Sequence, residues 1–135
     1  MENTVSINKP EYDEYTLVPF KTLLGSTLVS VDVNDGKDVI RFTTTDNETY
    51  LMFHLQDCCE SVYVEDIVGD WNDVIGHTIL CAEESCSDKK YDEEWCESST
   101  WTYYKLATIK GYVDIRWCGT SNGYYSESVD FVILK

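Results

Sequence analysis

The sequence predicts a mainly β domain with a minor helical part, its antiparallel meanders forming a sandwich, a barrel or a strongly bent sheet. Three observations carry this. Apolar residues alternate with polar ones at period two through most of the chain. The turn "NDGK" at 34–37 places Asp35-Gly36 between two such runs, supplying the positive φ that a tight hairpin needs. The last third is dense in aromatic and branched residues, which suit a pleated sheet.

Taken in order, residues 1–14 read as an N-terminal tail, and "PFKTLLG" (19–25) as a helical turn. "TLVSVDV" (27–33) puts Val29, Val31 and Val33 on one face and Leu28, Ser30 and Asp32 on the other. "DVIRFTTT" (38–45) returns with Ile40 and Phe42 inward, and "ETYLMFHL" (48–55) completes a three-stranded meander. A strand follows at "SVYVEDI" (61–67), with Val62 and Val64 inward; Gly69 breaks it. "DWNDVIG" (70–76) is a helical turn, capped by Asp70 and ended by Gly76. "HTILCAE" (77–83) is the next strand, and the charged, aperiodic stretch 84–99 an exposed acidic loop. "TWTYYKLATIK" (100–110), "YVDIRWC" (112–118) and "YYSESVDFVIL" (124–134) form a second meander, and the whole chain, 1–135, is one domain.

The 25 acids against 10 bases give a formal charge of −15, unevenly spread. Residues 57–104 hold 13 acids against Lys89 and Lys90, a net of −11, whereas residues 105–135 carry a net of +1. Such a field attracts basic surfaces and disfavours direct binding to duplex DNA, which needs clustered Lys and Arg. No apolar run reaches the roughly 20 residues of a membrane-spanning helix. The N-terminus shows no basic region followed by an apolar one, so an intracellular location and reduced cysteines are expected.

The block "HLQDCCESVYVEDIVGD" (54–70) sets His54 beside Asp57, Cys58, Cys59 and Glu60. A thiol nucleophile needs an activating base, but the acids around Cys58 oppose the thiolate. Extended, the two cysteines point to opposite sides. The six cysteines include no C-x-x-C pair and match no standard zinc module. The acids follow no calcium-loop spacing either, so neither metal nor cofactor is expected. Asp57, Glu60, Glu65, Asp66, Asp70 and Asp73 are instead the candidates for contacting a protein partner.

The C-terminal meander suggests a different site. Trp101, Tyr103 and Lys105 share one strand face, and Tyr112, Asp114 and Arg116 share a face of the neighbouring strand. Rings beside cations can stack a base and hold a phosphate. With Asn122 and Tyr124 of "SNGYYSE", the residues Trp101, Tyr103, Lys105, Tyr112 and Arg116 make a nucleotide-binding candidate set.

"HLQDCCESVYVEDIVGD", "TWTYYKLATIKG" and "RWCGTSNGYYSESVDF" together resemble a family of small acidic proteins encoded mainly by bacteriophages and known as a domain of unknown function. The resemblance spans about residues 19 to 133, leaving the 84–99 stretch outside the matching segments. It implies a phage or prophage accessory protein in the cytoplasm of a bacterial host, and it assigns no catalytic residues.

Three functions are thus set against one another. The first expectation is a non-enzymatic inhibitor of a basic host protein, such as a defence nuclease or CRISPR effector, whose acids imitate phosphates. The alternative is an oligomer, ring-like or dimeric, that sequesters a nucleotide signal. The third is a hydrolase using His54, Asp57 and Cys58.

Overall fold

The computed structural model describes residues 4–92, 94 and 97–135, and these form two packed antiparallel sheets. The strands in chain order are β1 (Thr4–Val5), β2 (Tyr15–Leu17), β3 (Leu28–Asn34), β4 (Val39–Thr44), β5 (Thr49–Phe53) and β6 (Ser61–Gly69). They continue with β7 (Cys81–Cys86), β8 (Lys90–Asp92), β9 (Glu97–Thr108), β10 (Gly111–Ser121) and β11 (Asp130–Leu134). One sheet runs β1-β3-β4-β5-β11-β2, in which only the β1–β3 pair is parallel. The other runs β6-β10-β9-β7, with β8 paired to the start of β9. Of the architectures left open by the sequence, the structure takes the sandwich.

The two inner faces meet in one core. Ile40, Phe42, Tyr50, Met52 and Phe131 of the first sheet pack against Val62, Val64, Tyr104, Leu106, Ile115 and Trp117 of the second. Tyr50 stacks on Phe131 at 5.4 Å between ring centroids, and the Trp117 indole N–H reaches the Met52 sulfur at 3.1 Å across the sandwich. The turn Phe20–Leu23 closes one side, its Phe20 ring 4.8 Å from Tyr104. The first sheet is covered on its other face too. Val39, Leu51, Phe53 and Val132 form a second cluster under Ile7 and Tyr15. The segment expected as an N-terminal tail therefore supplies β1, a cover for this cluster and a turn at Tyr12–Glu14.

Several elements depart from the sequence reading, each for a local reason. The β3–β4 register shifts between Leu28 and Ser30, so Leu28 is buried beside Val31 and Val33 while Val29 turns outward. A bulge of this kind moves every residue before it to the opposite face. The strand expected at 77–83 starts only at Cys81, because the preceding chain folds back with Thr78 bridged to Thr27. The acidic stretch 84–99 is exposed at most of its described residues, but Ser98 is buried, and it is no simple loop: it holds the end of β7, all of β8 and the start of β9. Cys96 and residues 1–3 lie outside the described residues.

The largest departure concerns the C-terminal meander. β9 and β10 form the expected hairpin, yet residues 122–129 are irregular and β11 joins the other sheet, between β5 and β2. The crossing chain passes so close to β10 that a Cβ on Gly119 would lie 2.6 Å from the Glu127 carbonyl oxygen. Gly69 is tighter still. Its φ of +113° is unfavourable to other residues, and an added Cβ would collide with the Tyr112 carbonyl. Gly69→Ala is therefore expected to cost more than about 2 kcal/mol, read as a shift of the urea midpoint. An unchanged midpoint would show that this edge yields freely.

Candidate functional site

Strand alternation displays one face of the second sheet to solvent, in rows that cross all four strands. Register pairs Asp66 with Arg116 and Arg116 with Tyr103, and Ser85 with Tyr103 beyond it. The adjacent row runs Val68, Asp114, Lys105 and Glu83. These rows line a concavity of about 400 Å³. The Arg116 guanidinium lies 5.6 Å from the Trp101 ring centre, and the Lys105 ammonium 5.4 Å from that of Tyr112.

Five of the seven nucleotide candidates, Trp101, Tyr103, Lys105, Tyr112 and Arg116, thus share this face. Asn122 and Tyr124 do not: they sit in the loop after β10, where Asn122 accepts the Tyr124 N–H at 3.0 Å. The cations are also compromised as phosphate ligands. Arg116 is clamped by Glu65, with both Nε and an Nη nitrogen 2.6 Å from one carboxylate oxygen, and Asp66 stands 3.7 Å away. The Glu65 hydrogen bond raises the Arg116 pKa further, the mark of a satisfied cation. Asp114 and Glu83 flank Lys105. Period-two alternation already placed Asp114 beside Arg116; Glu83 joins only through the β7–β9 register.

The acids chosen as protein contacts are dispersed. Glu65 and Asp66 border the concave face, whereas Asp57 precedes β6 and Asp70 and Asp73 follow it. Nine residues of strand, about 30 Å, separate those two ends. Asp70 caps the Trp71–Asp73 turn by accepting the Asn72 N–H at 2.9 Å, the role the sequence predicts. Glu60 is not presented at all. Its buried carboxylate accepts the N–H groups of Asp57 and Cys58, each at 2.9 Å, and meets the His54 Nε2 at 2.7 Å. His54 Nδ1 faces the Ser128 carbonyl at 2.6 Å. Both ring nitrogens thus have a hydrogen-bond partner, and the ring ties the Glu60 carboxylate to the Ser128 carbonyl. Burial pushes Glu60 up, but the His54 hydrogen bond and the backbone N–H donors outweigh it and hold the pKa down to about 2.

A second buried carboxylate escaped the sequence reading. Glu127 accepts the hydroxyls of Thr100 at 2.7 Å and Ser121 at 2.5 Å, and that of Ser98 as well. Burial raises its pKa, yet these hydroxyls win and leave it lowered. Lys89, 3.9 Å from Glu127, also donates to the carbonyls of Gly123 and Tyr125. The hydroxyls at alternate positions of "ESSTWT" were the available signal. The Glu60 and Glu127 assemblies both fasten the crossing segment that leads to β11.

The cysteines correct one expectation. Cys58 and Cys59 are joined by a disulfide in a bend between β5 and β6, where the sequence predicts reduced thiols on opposite faces. Outside a strand, side-chain alternation no longer applies. The Cys81 thiol is pushed up by its hydrogen bond to Glu83, and burial pushes up that of Cys118. Among the described residues, no group of three or more His, Cys, Asp or Glu is placed to hold a metal ion. Nor is any helix among them long and apolar enough to cross a membrane.

Fold and site together define a two-sheet antiparallel sandwich that displays a concave, aromatic and predominantly acidic face. The chain belongs to the DUF7448 family, a domain of unknown function, whose model matches residues 21–131. No curated protein and no solved structure matches it.

Proposed function

We propose that this chain is a non-catalytic binding protein, a bacteriophage accessory factor that engages and inhibits a basic host protein, a defence protein above all, in the bacterial cytoplasm. One observation carries the reading: the concave face sets Asp66, Glu83, Glu84 and Asp114 against Lys105 and Arg116, beside the exposed Tyr103 ring. Charge draws a basic partner, and rigid Tyr and Trp rings supply contact area at little entropic cost. Imitation of nucleic-acid phosphates by these carboxylates is part of the proposal. The engagement of both His54 nitrogens, and thiols shifted away from the thiolate, support a non-enzymatic role.

A plaque assay tests it. Expressed in a host whose nuclease or CRISPR defence blocks an unrelated phage, the chain is expected to restore plaques. Binding to the defence protein should weaken steeply as salt rises from 50 to about 300 mM. Failure to restore plaques against any of a panel of such defences would overturn inhibition.

Nucleotide sequestration draws on the same gathered rings, Trp101, Tyr103 and Tyr112. The carboxylates around Arg116 and Lys105 count against it. A thermal-shift screen with cyclic and ADP-ribose-type nucleotides is expected to show no stabilisation; an upward shift would favour this second reading.

A further inference from the structure

We infer that the concave face of the β6-β10-β9-β7 sheet is an arginine-docking surface: it seats guanidinium side chains of a partner protein's basic segment between Tyr103 and the carboxylates of Asp66, Asp114 and Glu83. The inference rests on the binding role proposed above and assigns the side chain that role would recognise. The molecule already keeps one guanidinium of its own beside a ring and carboxylates on this face. Arg116 lies against the Trp101 ring and within reach of Glu65 and Asp66, on the same face. Planar stacking combined with a forked carboxylate contact suits arginine; a compact ammonium makes neither contact as well.

Charge separates this occupant from the others. Four face carboxylates against two cations leave the surface negative before any partner arrives. That repels a phosphate, an anionic membrane and a second copy of a chain carrying −15 overall. The volume of about 400 Å³ lies within the roughly 300–1,000 Å³ of small-ligand clefts, room for one long side chain and its neighbours. Tyr103, 42% exposed, and Val68, 51% exposed, offer uncovered apolar surface beside the acids.

The test uses the full chain with an unstructured arginine-containing peptide, its lysine counterpart of equal charge and a glutamate control. Calorimetric titration is expected to show at least a several-fold preference for the arginine peptide. D66N/E83Q/D114N should weaken that binding about tenfold or more. D13N/D35N/D46N, which removes the same charge from exposed positions elsewhere, should leave it within about twofold. The Trp101 indole resonance, assigned with Trp101→Phe, should move only with the arginine peptide. Equal affinity for arginine and lysine, or equal weakening in the two triple variants, would reduce the effect to bulk charge and overturn the inference. A concentration-dependent dimer abolished by D66N/E83Q/D114N would assign the face to a second copy and overturn it too. The two proposals fail separately. Plaque restoration retained by D66N/E83Q/D114N removes the docking surface and leaves inhibition standing, whereas arginine binding without plaque restoration does the reverse.

Discussion

His54→Ala is expected to lower the melting temperature by roughly 10 °C or more, the loss that follows when a buried carboxylate is left without its partner. The His54 side chain is 2% exposed, and its imidazole joins Glu60 to the Ser128 carbonyl. Without the ring, the Glu60 carboxylate keeps its Asp57 and Cys58 donors but loses its His54 contact, and the Ser128 carbonyl loses its ring partner. His54→Leu combined with Glu60→Met should recover part of the loss, since no uncompensated charge is then buried. The recovery stays partial because two backbone N–H groups lose their acceptor. A melting temperature within two or three degrees of the parent would show that solvent reaches the pair.

The same carboxylate sets the response to acid. Glu60 is held at about 2 against an ordinary 4.5, so its stabilisation is fully present above pH 4.5 and disappears as the pH falls towards 2. Glu127, also lowered, acts in the same sense. Glu84, which burial pushes up, acts in the opposite one. Urea midpoints measured between pH 7 and 2 should therefore drop mainly below 4.5. Glu60→Gln should lower the plateau and flatten that drop; a parallel curve would exclude Glu60 as a cause.

Trp117→Ala is the second large effect, expected to cost about 3–5 kcal/mol as a shift of the denaturation midpoint. Trp117 is fully buried on β10, the strand between β6 and β9, and its indole N–H is directed at Met52 of the opposite sheet. Truncation leaves a cavity where the sheets interlock and removes the indole from Met52 together. Trp117→Phe should cost less than half as much, since most of the volume stays. Equal losses for the two variants would mean that the N–H contact, and not volume, sets the cost.

Much of this architecture could be read from the chain because it is written at period two. The alternation of Ile40 and Phe42, or of Val62 and Val64, requires no knowledge of a partner strand. The Asp70 cap and the Phe20–Leu23 turn are likewise local. The bulge at Leu28 was hidden, because it depends on how β3 meets β4. The transfer of β11 to the other sheet was hidden as well. The run 124–134 looks uniform, and only the hydroxyl cage around Glu127 and the close passage at Gly119 show why its first half cannot pair.

For the site, the division follows the same lines. Alternation alone put Trp101, Tyr103 and Lys105 on one face and Tyr112, Asp114 and Arg116 on another, and charge counting made the surface acidic. Tertiary register decided that those two faces are one, brought Glu83 and Asp66 onto it, and tied Arg116 to Glu65. Glu60 left the surface for a neighbour six residues away, His54, whose other nitrogen meets the Ser128 carbonyl 74 residues on. The physical reason is range. Side-chain alternation is set by backbone geometry within a few residues, whereas the company a charge keeps depends on strands brought together from 20 to 50 residues away.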